Sequence, residues 1–150
     1  QKAYARAIGS RSIYTPQMIV GGVDRVEGYA PDEVARYLAG HLKDGSTVTL
    51  TVERSGDLLT IRADADPPLT EPVRVQLVRY KPEETVAIER GENAGRTITY
   101  RNIVTSWEGL GAWSGLEPME ITVPFAGSEP GAVIVQSEGP SAILAAARVD

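Results

Sequence analysis

Alternation of apolar and polar residues begins at Thr47 and returns at intervals to the end of the chain. In Thr47-Val48-Thr49-Leu50-Thr51-Val52-Glu53 every second side chain is apolar, the pattern of a strand with one buried face and one wet face. Ser55-Gly56 supplies a turn into Leu58-Leu59-Thr60-Ile61-Arg62-Ala63, and alternation resumes at Val73-Arg74-Val75-Gln76-Leu77 before Lys81-Pro82. Thr85–Glu89 and Arg96–Tyr100 flank Gly91-Glu92-Asn93-Ala94-Gly95, which predicts a β-hairpin. Glu120–Val123, Ala132–Gln136 and Ile143–Val149 bring the total to about eight strands. The last is alanine-rich and can also form a helix, but Gly139-Pro140 just before it favours a hairpin with its predecessor. Short strands at this spacing predict an antiparallel β-sandwich or barrel over residues 46–150.

The first 45 residues have a different texture. Lys2–Ile8 is helix-prone, with Gly9 placed to end it, and is too short to stand alone. The expectation is therefore a helix that starts upstream of Gln1. Thr15 precedes a proline and is pushed out of the helical region, while Pro16, with no N–H to donate, belongs at the start of a strand. That strand is Gln17-Met18-Ile19-Val20, bounded by Gly21-Gly22, and a second follows at Val23–Gly28. A helix is predicted from Pro31 to Leu42, with Pro31 at its first position and Asp32 and Glu33 at the positive end of its dipole. Val34, Tyr37, Leu38 and Leu42 recur at helical spacing and mark its buried face. Charge shifts as well: the first 45 residues hold six basic and five acidic side chains, the remainder nine and fifteen. A domain boundary is expected near Asp44-Gly45-Ser46, dividing the chain into residues 1–45 and 46–150.

This order of helix, X-Pro, strand, hairpin, strand and helix resembles the second half of a thioredoxin fold, where the proline is cis. Ala3-Tyr4-Ala5, Gly9-Ser10-Arg11-Ser12, Tyr14-Thr15-Pro16-Gln17-Met18 and Val20 resemble a family of exported bacterial thioredoxin-like proteins of unknown function. Arg90-Gly91-Glu92-Asn93-Ala94-Gly95-Arg96-Thr97, Leu110-Gly111 and Trp113-Ser114-Gly115 are similar to the C-terminal portion of the same family. The resemblance implies an α+β fold, the C-terminal half of a thioredoxin-like unit followed by an antiparallel β-sandwich. It also implies a periplasmic or secreted location, and a protein or peptide substrate pairing with the backbone at Tyr14, Thr15 and Pro16. The family usually carries an upstream Cys-x-x-Cys, whereas this chain has no cysteine. Disulfide exchange needs a thiolate, so the chain as given is not redox-active. Half a thioredoxin unit leaves a sheet edge and an apolar face open, so either an upstream segment or a homodimer is expected to cover them.

Composition narrows the function classes. A net charge of −5 and a pI near 5.0 exclude a sequence-independent nucleic-acid binder. No apolar run approaches the roughly 20 residues of a membrane-spanning helix. With one histidine and no cysteine, catalytic triads and zinc sites lack their groups, and His41, on a helix with no partner in sight, reads as solvated. Asp64-Ala65-Asp66 has calcium-like spacing, but Pro67-Pro68 follows and further ligands are missing. No nucleophile elbow, phosphate loop or dinucleotide fingerprint is present, so no catalytic residue, metal or cofactor is expected.

Two constellations can bind something. Arg90, Arg96 and Arg101, on a hairpin with Glu92, Asn93 and Asn102, can clamp a carboxylate or phosphate; the alternative is a solvated hairpin with weakly paired charges. Trp107 and Trp113 fall in what reads as a glycine-rich loop, where they can stack on a ligand or anchor a partner, or else plug one end of the sandwich. Two functional expectations follow: a thioredoxin-like protein related to disulfide exchange in its complete form, or a non-catalytic interaction module built on the β part.

Overall fold

The computed structural model describes Tyr4, residues 16–91 and residues 94–150. From Val48 onward the alternating segments form two antiparallel sheets that face each other. Strands β3 (Val48–Ser55), β4 (Leu58–Ala65) and β7 (Met119–Pro124) make a three-stranded sheet in the order β3-β4-β7. Strands β5 (Val73–Ala87), β6 (Thr97–Trp113), β8 (Gly131–Ser137) and β9 (Ile143–Val149) make a four-stranded sheet in the order β6-β5-β8-β9. Leu59, Ile61 and Ala63 of β4 meet Val75 and Leu77 of β5 and Val133 and Val135 of β8 in one buried core. Burying each of the larger of these side chains contributes about 1.5–3 kcal/mol relative to exposure.

Two aromatic residues close opposite ends of the core. Trp113 lies opposite Val73, and its indole Nε1 donates to the Glu117 carbonyl at 2.8 Å. Phe125, fully buried, lies between the guanidinium groups of Arg54 and Arg79, 4.9 and 4.2 Å from its ring centre. Those groups also donate to the carbonyls of Gly127 (2.6 Å) and Ala126 (2.5 Å), fixing the loop after β7. A cation stacked on a ring and bonded to backbone beyond it holds the side chain from both directions.

Ahead of the two sheets lie a two-stranded ribbon, β1 (Gln17–Val20) with β2 (Asp24–Glu27), and one helix, α1 (Pro31–Asp44). The β1–β2 turn seats directly on the four-stranded sheet, where Ile143 N donates to the Gly21 carbonyl at 2.8 Å. Gly21 and Gly22 both have positive φ, and a Cβ would overlap the His41 ring at the first and the Ser141 carbonyl at the second. Only glycine fits both the conformation and the space.

The expected α+β fold, with the C-terminal half of a thioredoxin-like unit, is overturned. The described residues are mostly antiparallel strand with a single α-helix, a β-rich fold. The order strand, strand, helix does occur at residues 17–44, but such an order is generic, and here it is an adjunct to seven strands. The buried face expected for α1 is also corrected: Val34 and Tyr37 are partly covered, whereas Leu38 is half exposed and Leu42 is 85% exposed. Nor do Val73–Leu77 and Thr85–Glu89 form separate strands. β5 runs unbroken through Pro82, beyond the point where β8 ends, and opposite Pro82 the backbone of Asn102 turns to φ 52°.

Candidate functional site

The length of β5 and β6 creates the most distinctive surface of the molecule. β8 accompanies β5 only from Val73 to Arg79, yet β5 stays paired with β6 as far as Ala87 opposite Thr97. Residues 81–87 and 97–103 thus form a two-stranded ribbon that projects roughly 20–25 Å past the sheet.

Two bulges decide which side chains share its faces. β6 has no partner for Leu110, between the pairs Val75–Gly111 and Gln76–Gly109, nor for Thr105, between Arg79–Ser106 and Tyr80–Val104. An extra residue reverses the phase of a strand. Trp107 and Trp113 are six apart, which in an even strand sets them on one face; the Leu110 bulge sends Trp113 into the core and Trp107 to the outer face opposite Val78. The expected glycine-rich loop is therefore a bulged strand. The outer face then carries, along one stripe, Trp107, Val104 with Tyr80, Tyr100 with Glu84, and Val86 with Ile98. Trp107 is 58% exposed, Val104 50%, Tyr100 44% and Val86 38%.

Beneath Trp107 runs a polar chain across the sheet. Its Nε1 donates to Gln76 Oε1 at 2.8 Å, and Gln76 Nε2 donates to Gln136 Oε1 at 3.0 Å. Gln136 Nε2 in turn donates to the Ser141 carbonyl at 2.7 Å and to the Tyr4 hydroxyl at 3.2 Å. Both glutamines are buried, and each amide is satisfied by the next, which burial requires. Beside this chain Tyr80, Asn102, Val104, Ala132, Ala146 and Arg148 line an open groove of about 460 Å³. Small alanines form its floor and an arginine stands at its rim.

The other sequence candidates are dispersed. Tyr14 and Thr15, and with them the state of the Thr15–Pro16 bond, lie outside the described residues; Pro16 is exposed and its carbonyl accepts from Gly28 N at 2.9 Å, closing the β1–β2 ribbon. Arg101 pairs with Glu83 across the ribbon at 2.8 Å. Arg96 lies opposite Ile88, five residues earlier, so strand alternation sets it and Arg101 on opposite faces of the ribbon. Glu92 and Asn93 lie outside the described residues. Asp64 Oδ1 accepts from the neighbouring Ala65 N, and among the described residues no group of three or more His, Cys, Asp or Glu side chains is placed to hold a metal.

His41 has a partner that the sequence did not reveal: its Nε2 lies 2.8 Å from Asp24 Oδ2. The nearest groove, of about 490 Å³ between α1, β3 and β9, also contains Ser46. The Ser46 hydroxyl, however, donates to the Leu144 carbonyl at 2.5 Å and accepts from Val48 N at 3.0 Å, so it is held as a turn brace. On the far side of the molecule Arg62 donates to Glu120 at 2.7 Å and Glu53 at 3.3 Å. Those hydrogen bonds, Glu120 first, hold its guanidinium above the ordinary arginine value and permanently charged.

The outer-face chain of Gln76 and Gln136 was missed in the sequence. Its only signal is a glutamine in each of two strands, within Val73–Val78 and at the end of the apolar run Ala132–Val135.

Fold and site together define a β-rich protein of two facing sheets, one drawn out into a ribbon with an apolar outer face. The chain belongs to the family described as protein of unknown function DUF1223, whose model matches residues 1–136. It is also similar to a protein from Agrobacterium tumefaciens whose X-ray crystal structure was determined as a structural-genomics target. The two share 25% identity and a TM-score of 0.81, over 99% of this chain and 67% of that one. No curated protein matches the chain. Neither match describes a thioredoxin-like or an exported protein.

Proposed function

We propose that this protein is a non-catalytic interaction module that holds an extended, apolar protein segment on the outer face of its four-stranded sheet. One observation carries the reading. Trp107 is anchored through Nε1 to the buried Gln76, yet more than half of the residue remains exposed. A ring already held in place loses little freedom on binding, and exposed tryptophan over a firm floor is the usual anchor of a protein contact. The groove beside it, walled by Tyr80 and Val104, offers the next pocket along the strand direction.

Thiol–disulfide exchange has no nucleophile in this chain, which contains no cysteine. A periplasmic or secreted location is proposed on sequence resemblance alone. The division near Asp44–Ser46 is likewise a proposal, resting on the change of composition there.

The test is selection of displayed linear peptides on the wild-type protein, with counter-selection on Trp107→Ala. The reading expects apolar peptides that bind the wild type and lose tenfold or more in affinity, about 1.4 kcal/mol, on the variant while its circular-dichroism spectrum shows it still folded. Peptides that bind both proteins equally, or no enrichment, overturn it.

A further inference from the structure

We infer that the outer edge of the ribbon, Thr97–Arg101 of β6, is a homodimerisation edge, paired antiparallel with the same segment of a second copy about a two-fold axis at Thr99. This inference concerns the edge of the sheet and does not rest on the peptide reading of its face.

Among the described residues no strand pairs with the far side of β6. Which backbone groups point there follows from the ladder. Ile88 N donates to the Arg96 carbonyl, and in an antiparallel pair the residues that exchange hydrogen bonds alternate with those that do not. Val86–Ile98 and Glu84–Tyr100 are therefore the exchanging pairs, and the N–H and C=O groups of Thr97, Thr99 and Arg101 face outward. A second copy centred on Thr99 satisfies all of them, with about six new backbone hydrogen bonds.

The side chains are self-complementary in that register. Ile98 comes opposite the second copy's Tyr100 on the apolar face, a β-branched residue against an aromatic one. Thr99 meets its own counterpart on the polar face, as it already meets Thr85 of β5 with hydroxyls 2.9 Å apart. Arg101 faces Thr97, so no like charges are opposed. A slip of one residue would set the apolar face of one copy beside the polar face of the other.

Several other edges are blunted. Beyond Arg101, β6 is broken by Asn102 at φ 52° and by the Thr105 and Leu110 bulges. The free edge of β5 carries Lys81, Pro82, Glu83 and Glu84. Edge strands β3 and β9 lie against each other. A lone two-stranded ribbon is marginal in water, and pairing turns two of them into a four-stranded one. So short an edge falls below the roughly 1,200 Å² of a standard interface, which makes the dimer reversible.

The absence of cysteine gives a clean test. In the paired register the two Thr99 Cα atoms lie about 5.5 Å apart, within disulfide reach. Under mild oxidation Thr99→Cys should cross-link roughly tenfold faster than Thr51→Cys on the three-stranded sheet, the excess expected of a preformed contact. Sedimentation should show a concentration-dependent wild-type dimer. Thr99→Pro should weaken it roughly tenfold or more, through two lost hydrogen bonds, without lowering the melting temperature, because the Thr99 N–H serves no bond to β5. Ile98→Lys, which leaves the backbone intact, should act in the same direction. A wild type that stays monomeric at millimolar concentration overturns the inference, as does a dimer indifferent to Thr99→Pro and Ile98→Lys, or equal cross-linking of the two cysteine variants.

Discussion

The two sheets share one core but present opposite outer faces. On the three-stranded sheet the exposed side chains answer one another: Arg62 bridges Glu120 and Glu53, and Thr60 and Thr122 lie hydroxyl to hydroxyl at 3.2 Å. On the four-stranded sheet the exposed side chains include Trp107, Val104, Tyr100 and Val86, a largely apolar stripe whose polar neighbours are the Gln76 that anchors Trp107 and Glu84 opposite Tyr100. Folding needs only the inner faces, which both sheets fill with Leu, Ile and Val. The first outer face is complete in water, whereas the second leaves apolar surface in a stripe, which soluble proteins tend to keep for contacts.

That contrast can be pressed experimentally. The largest effect is expected in the shared interior. Phe125→Ala should cost about 3–5 kcal/mol in denaturant unfolding, since it empties a fully buried site and strips Arg54 and Arg79 of the ring they enclose. A cost under about 1 kcal/mol would mean that the end of the core collapses to fill the gap. Next comes the polar chain. Gln76→Ala should cost about 1–3 kcal/mol, because it leaves the buried Gln136 amide short of a partner. It should also free Trp107, seen as a drop in tryptophan fluorescence anisotropy; an unchanged anisotropy would show that the indole is held by packing rather than by its hydrogen bond. Smallest of all, Arg62→Ala on the wet face should barely move the denaturation midpoint, and less still in high salt. Should it rival Phe125→Ala, the two outer faces are not different in kind.

Much of this architecture was readable in advance. Thr47–Glu53 and Leu58–Ala63 announce strands because one face of each is buried, so alternation is enforced position by position. The phase of a strand is harder to read. In the run from Thr105 to Trp113 only the flanking Gly109 and Gly111 hint at a bulge, and neither says that Leu110 is the extra residue, yet that one residue decides which tryptophan is core and which is surface. Pairings set by distance in space were out of reach for a different reason. Gln136 and Tyr4 are 132 positions apart and meet only once the sheet exists, and Phe125 acquires its two arginines from strands β3 and β5. The first 45 residues misled because a strand–strand–helix order belongs to many folds, and the topology around it decides which.

The seat of the β1–β2 turn has a consequence for how this architecture can vary. Its attachment to the sheet is made of main chain: a carbonyl of Gly21 meeting an amide of Ile143, with Gly22 flat against Ser141. Main-chain contacts are blind to most substitutions on either partner. The hairpin's exposed positions, such as Met18 and Val23, are thus freer to drift in size and charge than the buried Val20 and Val26, while a single methyl group at Gly22 would press on the Ser141 carbonyl and lever the turn off its perch.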